Sequence, residues 1–449
     1  MNRLIDCTCT AKMDFADEFV GIRSEEQGSV KIYFPAGYFQ NDVEIQNLPE
    51  DKLREAVLNL FDVLSDASLS AENFQSPISR FSTNNSEVRF PMNAYLNVLR
   101  HYLDFGYYTE KETTFKRGMQ GKINWGRTVK TTRPIVSEDE KNILYLNPIA
   151  RFTNRNESEL ITQIHKFCVH DASKRIGFIF GVEIQEEPTL DFDYNLFRSV
   201  LQGKISKTFN DRFLNLFGDL QRIVEYIAHK LTSDSSNADD FYFGVNRFAP
   251  VWEAMLDRIF GSLAPNESKS DFNPHTFWQF ENGSIKDADK YSQSTMRPDT
   301  IMRQTNFDGT GEIFVLDAKF YSYGIANGTL PSSESISKQI AYAEYIETNK
   351  DTGKKFGVDG LHIYNAFLLP YCAKSAPNSR PYRMKFFGKA HGEWKDAEQS
   401  SRFYRPYHQI AGIFLDIKSV MQNYNSSKKA QSELAGLIRH KIHFEPFTN

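Results

Sequence analysis

The sequence predicts an α/β protein, α+β over its whole length, and three observations support this class. Short alternations of polar and apolar residues fill positions 17 to 45, long helical periodicities occupy the middle, and helices alternate with apolar strands beyond position 240. Hydrophobic residues make up 40% and charged residues 24% of the 449 residues, as in proteins that bury a core. Because one domain usually holds roughly 100 to 200 residues, we expect more than one domain.

The composition excludes several classes of protein. No apolar run reaches the roughly 18 residues that cross a bilayer, and the start MNRLIDCTCTAKMDF has no continuous apolar core of the kind found in signal peptides. We therefore expect a cytoplasmic protein with no membrane role. Four cysteines are too few and too scattered for a disulfide framework or a four-cysteine zinc site. The net charge of -4 provides no global attraction to nucleic acid, so a DNA-binding surface must be a local cluster of Lys and Arg.

The first part, residues 1–135, is predicted to be a β-rich domain with a basic loop. Runs such as SVKIYF, between positions 17 and 45, have the two-residue alternation of antiparallel strands. Helices are predicted at 50–64 and 92–105, the second with Pro91 in its first turn. The pattern thus indicates strands first and helices second.

The basic loop, residues 110–133, contains several glycines and has no helical periodicity, which indicates an exposed loop or hairpin. Its charges and rings could bind a phosphate backbone or insert into a partner protein, or they could simply be solvated. The candidate contact residues, which lie beside Phe115, are Lys116, Arg117, Lys122, Trp125, Arg127 and Lys130.

Residues 136–235 are predicted to form a helical middle region. The run NESELITQIHKF makes Asn156 the N-cap of a helix, with Glu159 at the capping-box position. A second helix is predicted at 211–231, where apolar residues recur every three or four positions as far as Leu231. Together these patterns indicate a bundle-like region.

The third part, residues 236–449, has the order of an α/β domain. After the linker-like run SDSSNADD at 233–240, a helix is predicted at 250–263, strands in TIMR and EIFVLDAKFY, a helix at 335–347 and a strand in LHIYNAFLLPY. The second of these strands is largely apolar but carries charged residues. Burying a charge is costly, so charged residues in such a strand indicate a specific role.

Two acids are predicted to meet in a hairpin. Two strand-like runs flank NFDGT, whose Asp308 and Gly309 favour a turn. A turn centred near Asp308 sets Asp299 opposite Asp317, because both lie nine residues away, and facing residues have Cβ atoms about 4.5–5.5 Å apart. Lys319 shares the face of Asp317, because side chains alternate along a strand. A slip of one residue in the register would separate the two acids.

Such a cluster suits a metal-dependent nuclease. Adjacent carboxylates repel each other unless a cation neutralises them, and Mg²⁺ takes carboxylate oxygens while it keeps waters and accepts phosphate oxygens. We therefore expect Asp299 and Asp317 to hold Mg²⁺, which Mn²⁺ can replace, and Lys319 to orient and help deprotonate an attacking water. The alternative is a turn cap beside an exposed ion pair.

Two further residues are candidates for the same catalytic centre. Glu253, in VWEAMLDRIF, could supply a third metal-binding carboxylate, or it could complement the dipole of its helix. Gln339, in SKQIAYAEYI, could reach the centre together with Tyr342, or it could belong to an ordinary amphipathic helix. His440 and His443 lie three residues apart without a cysteine nearby, so we expect no zinc site there.

A second basic and aromatic stretch, residues 380–405, lies in the third part of the chain. It contains Arg383, Lys385, Lys389 and Trp394. We expect this stretch to contact the phosphate backbone of DNA, because Lys and Arg neutralise phosphates.

Pro-Asp, an apolar strand ending in Asp-x-Lys and a helix with a Gln together resemble the pattern of the PD-(D/E)XK nuclease superfamily. The pieces YFPAGYF, GKINWGRTVKTTRP, FAPVWEAML, RPDTIM, VLDAKFY and NAFLLPY resemble the LlaJI-type restriction endonucleases, which are relatives of McrC. All but the first of these pieces lie between positions 118 and 371. The Gln helix reads QIAY, where the RecB-like branch has QxxxY.

This resemblance implies a core of a mixed sheet flanked by helices and a Mg²⁺-dependent double-strand cut in foreign DNA. It implies that Asp299, Asp317 and Lys319 match the family's catalytic positions, with Glu253 as the helix acid. It also implies a McrB-like AAA+ GTPase as partner, docked through the basic loop. The sequence has no GxxxxGK[ST] phosphate loop, which fits a nuclease subunit that depends on a motor. A nuclease dimer would allow both strands to be cut.

Two rival functions remain open. One is a restriction endonuclease that recognises and cuts DNA by itself. The other is a catalytically inactive scaffold that regulates an AAA+ GTPase, against which the intact Asp, Asp and Lys set argues.

Overall fold

The structure is a computed structural model of the chain, and it describes the following residues: 4, 8–11, 18–24, 30–66, 90–136, 142–156, 159–232, 242–263, 267–274, 276–287, 296–305, 311–325, 328–348, 362–373, 383–392 and 405–442. Several predicted features lie outside these residues. They are the turn at Asp308, the linker-like run at 233–240, Trp394 and His443. In the described part of the chain, no helix combines the length and the apolar character needed to cross a bilayer.

The chain divides into two compact units. Unit 1 comprises residues 1–4 and 80–239, and unit 2 comprises residues 5–79 and 240–449. The predicted first part, residues 1–135, is therefore shared between the two units. The division of the chain into three domains therefore stays a prediction.

Unit 2 begins with a small sheet and two helices. The elements are β1 (Thr8–Thr10), β2 (Val20–Ser24), β3 (Val30–Tyr33), α1 (Asp42–Gln46) and α2 (Glu50–Ser65). The prediction of strands as far as position 45 was wrong beyond Tyr33, because the side chain of Asn41 accepts a hydrogen bond from the N–H of Glu44 at 3.0 Å and starts a helix there. The helix predicted at 50–64 is confirmed.

Unit 1 combines helices with a three-stranded sheet. Its elements are α3 (Met92–Phe105), β4 (Glu110–Arg117), β5 (Lys122–Ile123), α4 (Trp125–Thr131), β6 (Ile135–Val136), β7 (Ile143–Leu144), β8 (Ile149–Asn156), α5 (Leu160–Phe180), α6 (Tyr194–Ile205) and α7 (Asp211–Thr232). β8 lies between β4 and β5, and β6 pairs with β7 in a separate ribbon. The helices predicted at 92–105 and 211–231 are confirmed, although Pro91 is the N-cap of the first rather than part of its first turn.

Two local predictions in unit 1 were wrong. Asn156 is not a helix cap, because β8 extends to Asn156 and pairs it there with Glu110. The helix α5 begins at Leu160, and Glu159 occupies the N-cap without a side-chain hydrogen bond. Leu231, expected on an apolar helix face, is 71% exposed near the end of α7.

The remainder of unit 2 is a mixed α/β structure. Its elements are β9 (Tyr242–Val245), α8 (Ala249–Phe260), β10 (Phe277–Gln279), β11 (Ile285–Asp287), β12 (Thr300–Thr305), β13 (Gly311–Ala318), α9 (Ser333–Thr348), β14 (Ile363–Tyr371), β15 (Met384–His391), β16 (Gln409–Asp416), α10 (Ile417–Gln422) and α11 (Lys428–Lys441). Single 3-10 turns lie at Lys269–Phe272, Ser322–Gly324 and Pro406–His408. β9 pairs with β2 and completes the small sheet in the order β1-β3-β2-β9.

A five-stranded sheet with the order β12-β13-β14-β16-β15 forms the centre of unit 2. β13, β14 and β16 are mutually parallel, whereas the edge strands β12 and β15 are antiparallel to their neighbours. Ile313 and Val315 on β13 belong to one buried cluster with Ile340 and Ala343 of α9. Trp252 of α8 is fully buried, and its indole N–H donates to the carbonyl of Leu368 on β14 at 3.3 Å. The predicted mixed α/β architecture is therefore confirmed for this part of the chain.

Candidate active site

The hairpin of β12 and β13 has the register predicted from the sequence. Thr300 pairs with Leu316 and Thr305 with Gly311, so each pair of position numbers has the same sum. Extending this register by one residue sets Asp299 opposite Asp317. The two acids therefore lie side by side at the open end of the hairpin, next to the end of a strand that is buried along most of its length.

The two carboxyl groups interact directly, because they are within hydrogen-bonding reach of each other. Burial and the adjacent Asp317 together raise the pKa of Asp299 to about 8. Oδ2 of Asp299 accepts a hydrogen bond from the N–H of Ala318 at 2.9 Å, which lowers this pKa only in part. In the absence of a cation, the ionised form of Asp299 is therefore disfavoured by its burial and by Asp317.

Lys319 lies immediately beyond β13 and pairs with Asp317. Its Nζ is 2.8 Å from Oδ2 of Asp317, and its main-chain N–H donates to the carbonyl of Leu368 at 3.0 Å. Burial lowers the pKa of the Lys319 ammonium, but the carboxylates of Asp317 and Asp299 outweigh this effect and raise the pKa overall. The side chain is thus a cation beside two acids.

Glu253 of α8 is electrostatically linked to this group. Burial first, and Asp299 second, raise the pKa of Glu253 to about 7, whereas Lys319 acts in the opposite direction. A glutamate that only complements a helix dipole would not interact with a carboxyl group on another element. The structure therefore brings Glu253 into the electrostatic environment of Asp299.

The helix α9 carries Gln339 and Tyr342, which differ in how they relate to the two acids. Burial, followed by the charges of Asp317 and Asp299, raises the pKa of Tyr342, so its hydroxyl lies in the field of both acids. Gln339 is 1% exposed, and neither atom of its side-chain amide has a hydrogen-bond partner among the described residues. An unpaired buried amide is costly, which distinguishes Gln339 from an ordinary helix residue.

Three residues near the acids were not singled out from the sequence. Nζ of Lys269 lies 2.9 Å from Oδ2 of Asp257 and also donates to the main-chain carbonyl of Asp299. Oδ1 of Asp257 accepts a hydrogen bond from the hydroxyl of Thr300 at 3.0 Å. Asp257 could have been found, because it lies four residues after Glu253 and hence on the same side of α8. Lys269 could not have been found from the sequence, because it lies in a short irregular segment without helix or strand periodicity.

The donor set around Asp299 suits a hard divalent cation. Carboxylate oxygens are the ligands that Mg²⁺ and Mn²⁺ prefer, and a cation would relieve the repulsion that raises the pKa of Asp299. Among the described residues, no group of three or more His, Cys, Asp or Glu side chains already converges as a metal site. Asp299 and Asp317 form a pair, and Glu253, which is electrostatically linked to Asp299, is the candidate for a further carboxylate.

The predicted basic loop is an exposed surface of unit 1. Much of it is ordered as β4, β5 and α4 rather than as a loop, and Arg127 lies over the ring of Phe115 at 3.8 Å from its centre. All of its candidate contact residues are exposed: Lys116, Arg117, Lys122, Trp125, Arg127 and Lys130. Apolar residues also lie open to solvent in the neighbouring elements, among them Met119, Val129, Ile135, Val136, Ile143 and Leu144. This surface combines positive charge with exposed apolar area.

Within residues 383–392, the described part of the second basic stretch, the two lysines lie on opposite faces of the sheet. A β-bulge at Phe387 shifts the register of β15, so Lys385 faces Phe414 while Lys389 faces Ala411. Positions 414 and 411 point to opposite faces of the sheet, so the two lysines do as well. Nζ of Lys389 also donates to Oε1 of Gln409 at 2.9 Å. Arg383, at the start of this segment, acts electrostatically on Asp416.

The chain is similar to a known protein family and to a solved structure. The family model described as LlaJI restriction endonuclease matches residues 19–386. No curated protein sequence matches the chain. Among solved structures, the chain is similar to a refined half-complex from a tetradecameric assembly of Thermococcus gammatolerans McrB AAA+ hexamers with bound McrC. That similarity has 13% sequence identity and a TM-score of 0.33, and it covers 94% of this chain and 83% of the other.

Proposed function

The chain belongs to the LlaJI restriction endonuclease family, and from that premise we propose that it is the DNA-cutting subunit of a McrBC-like restriction system. The observation that carries the proposal is the pairing of Asp299 with Asp317 at the open end of the β12–β13 hairpin, with Lys319 bound to Asp317 at 2.8 Å. The sheet order and the flanking helices are consistent with a PD-(D/E)XK core. The substrate in this proposal is double-stranded DNA.

In this proposal Asp299 and Asp317 hold Mg²⁺ or Mn²⁺, and Glu253 supplies a further carboxylate. When bound, the cation would polarise the scissile phosphate and stabilise charge on the leaving oxygen. The raised pKa of Asp299 supports this role, because a bound cation would stabilise the ionised form that burial and Asp317 disfavour.

Lys319 acts as a hydrogen-bond donor in the proposed reaction. Its ammonium is fixed by Asp317 and its pKa is raised, so the resting group carries a proton and cannot accept one. It can orient the attacking water or stabilise negative charge on the phosphate. Gln339 has an unpaired amide that can hydrogen-bond to water or substrate in the same region.

We also propose that the cut depends on a separate AAA+ GTPase. The sequence has no phosphate loop for nucleotide binding, so a motor activity would have to come from another chain. The exposed basic and apolar surface of unit 1 supports docking of such a partner, since protein interfaces use apolar area that free DNA contacts do not require. Lys385 stays a proposed DNA contact, and a nuclease dimer would cut both strands.

The test is cleavage of unmodified double-stranded plasmid DNA by the full-length chain, with Mg²⁺, with and without the GTPase subunit of the same restriction system. Asp317→Asn is compared with Asp51→Asn, an exposed carboxylate in the first turn of α2. We expect Asp317→Asn to lower the cleavage rate by at least about 100-fold and Asp51→Asn to leave it unchanged.

Two outcomes would contradict parts of the proposal. Cleavage by folded Asp317→Asn at the wild-type rate would exclude the assigned centre. Efficient cleavage by the chain alone, without any GTPase, would retain the nuclease and exclude its dependence on a motor.

A further inference from the structure

We propose that Lys269 is a positioning residue that holds Asp299 in place for metal binding, an inference that rests on the proposed nuclease function. Lys269 contacts neither of the paired carboxyl groups. Its ammonium instead connects the side chain of Asp257 on α8 to the main-chain carbonyl of Asp299.

The segment around Lys269 is fixed at both ends of its single turn. The side chain of Ser268 accepts a hydrogen bond from the N–H of Ser270, and Asp271 accepts one from the N–H of Ser268 at 3.0 Å, which forms a capping box. Phe272 is fully buried in the same cluster as Ile301 of β12. The base of the Lys269 side chain therefore has little freedom, and its ammonium is 2.9 Å from the carboxylate of Asp257.

Asp257 extends this connection to the next residue of the strand. One of its oxygens binds Lys269, and the other accepts the hydroxyl hydrogen of Thr300 at 3.0 Å. Thr300 is 1% exposed and follows Asp299 directly. Lys269 thus holds the main-chain carbonyl of Asp299, and Asp257 holds the side chain of the next residue, Thr300.

Two such contacts restrict the backbone from which the carboxylate of Asp299 projects. The side chain itself is oriented by the hydrogen bond from the N–H of Ala318, beside the adjacent carboxyl group of Asp317. Partners that orient metal-binding side chains commonly change metal affinity by about 10- to 100-fold when they are removed. We therefore expect Lys269 to affect the binding of the cation more than the stability of the fold.

The experiment measures Mn²⁺ binding to the full-length chain from the loss of the free-ion electron paramagnetic resonance signal. The variants are Lys269→Met, Lys269→Arg and Asp257→Asn. The matched control is Lys52→Met, which also removes a lysine bound to a carboxylate, 2.8 Å from Glu55, but at an exposed position of α2. Melting temperatures without metal are measured in parallel.

We expect Lys269→Met and Asp257→Asn to weaken Mn²⁺ binding at least about tenfold, and Lys269→Arg to retain most of it. The double variant Lys269→Met with Asp257→Asn should lose little more than Lys269→Met alone, because both remove the same connection. Lys52→Met should bind Mn²⁺ like the wild type.

Different failures are distinguishable. If the wild type and Lys52→Met bind no Mn²⁺, the proposed function itself fails. If both bind Mn²⁺ and Lys269→Met binds it equally well, only the positioning role is overturned. A loss that Lys269→Arg shares in full, together with a lower melting temperature, would make Lys269 a structural residue and would also overturn it.

Discussion

Oδ2 of Asp299 accepts a hydrogen bond from the main-chain N–H of Ala318 at 2.9 Å, so the side chain of one acid is bound to the backbone beside the other. This bond fixes the direction of the Asp299 carboxyl group toward the end of β13. Its effect on the pKa is smaller than those of burial and Asp317, because the pKa of Asp299 is still raised to about 8.

Asp299→Asn is predicted to stabilise the metal-free protein. Asparagine keeps an acceptor for Ala318 but removes a carboxyl group whose pKa is raised by folding. Such a group stabilises the folded chain at low pH, and this contribution is lost as the pH rises from the unfolded pKa of about 3.9 through about 8. At pH 8 with a chelator, we expect the melting temperature to rise by at least about 2 °C. A lower melting temperature than that of Asp51→Asn would contradict this account.

Lys319→Met is predicted to separate metal binding from cleavage. Removing the ammonium takes a positive charge away from two acids, so Mn²⁺ binding should be unchanged or tighter. Cleavage should fall by about 100- to 1,000-fold, because a preorganised donor is lost. Titration of Mn²⁺ and single-turnover cleavage measure the two effects, with Lys52→Met as the control. If binding and cleavage fell together, Lys319 would act through the metal site instead.

Acid is predicted to destabilise unit 1 through His165. Burial, and then the neighbouring His101, lower the pKa of His165 to about 3, and its Nδ1 accepts a hydrogen bond from the N–H of Tyr108 at 2.9 Å. The unfolded chain takes up this proton near pH 6.5, so stability is full above that pH. It then falls by up to about 1.4 kcal/mol per pH unit toward pH 3.

Melting curves between pH 7 and pH 5 test this prediction. His165→Gln should flatten the decrease, because Gln can still accept from Tyr108 but does not titrate. His391→Gln, at an exposed position on β15, should retain the decrease of the wild type. Equal slopes for the wild type and His165→Gln would exclude the assignment.

Charge reversal on unit 1 is predicted to weaken partner binding without changing the fold. The triple change Lys122→Glu, Arg127→Glu and Lys130→Glu alters exposed side chains only, so melting should be nearly unchanged. Association with the GTPase should weaken by at least about tenfold, in a salt-dependent manner. Pull-down and DNA-binding titrations are run in parallel. A loss confined to DNA binding would reassign this surface to the substrate.

The hairpin register could be predicted because several signals agreed. The turn signal near Asp308 sets which residues pair, and the continuous apolar run Ile313 to Leu316 identifies β13 as a strand buried on both faces. The long helices were predictable for the same reason, as their apolar faces are continuous. Where the period is unambiguous, the sequence determines both the element and its orientation.

Other features depend on contacts between distant residues. The four-residue spacing of Lys385 and Lys389 along a strand suggests that both side chains lie on one face of the sheet. The bulge at Phe387 places them on opposite faces. Asn156 has the sequence of a helix cap, yet pairing with Glu110 keeps it in a strand. Lys269 reaches Asp299 only through the tertiary fold. In each case a long-range contact outweighs the local preference.

The pairing of β2 with β9 has a consequence for how the chain is made. The residues of β9, Tyr242–Val245, leave the ribosome after nearly all of unit 1, so the amino-terminal sheet cannot be completed until then. Unit 1 can fold as it emerges. Until β9 is made, the backbone N–H and C=O groups on one edge of β2 have no strand partner and can pair with other chains. Synthesis that pauses before position 245 should therefore expose the nascent chain to aggregation.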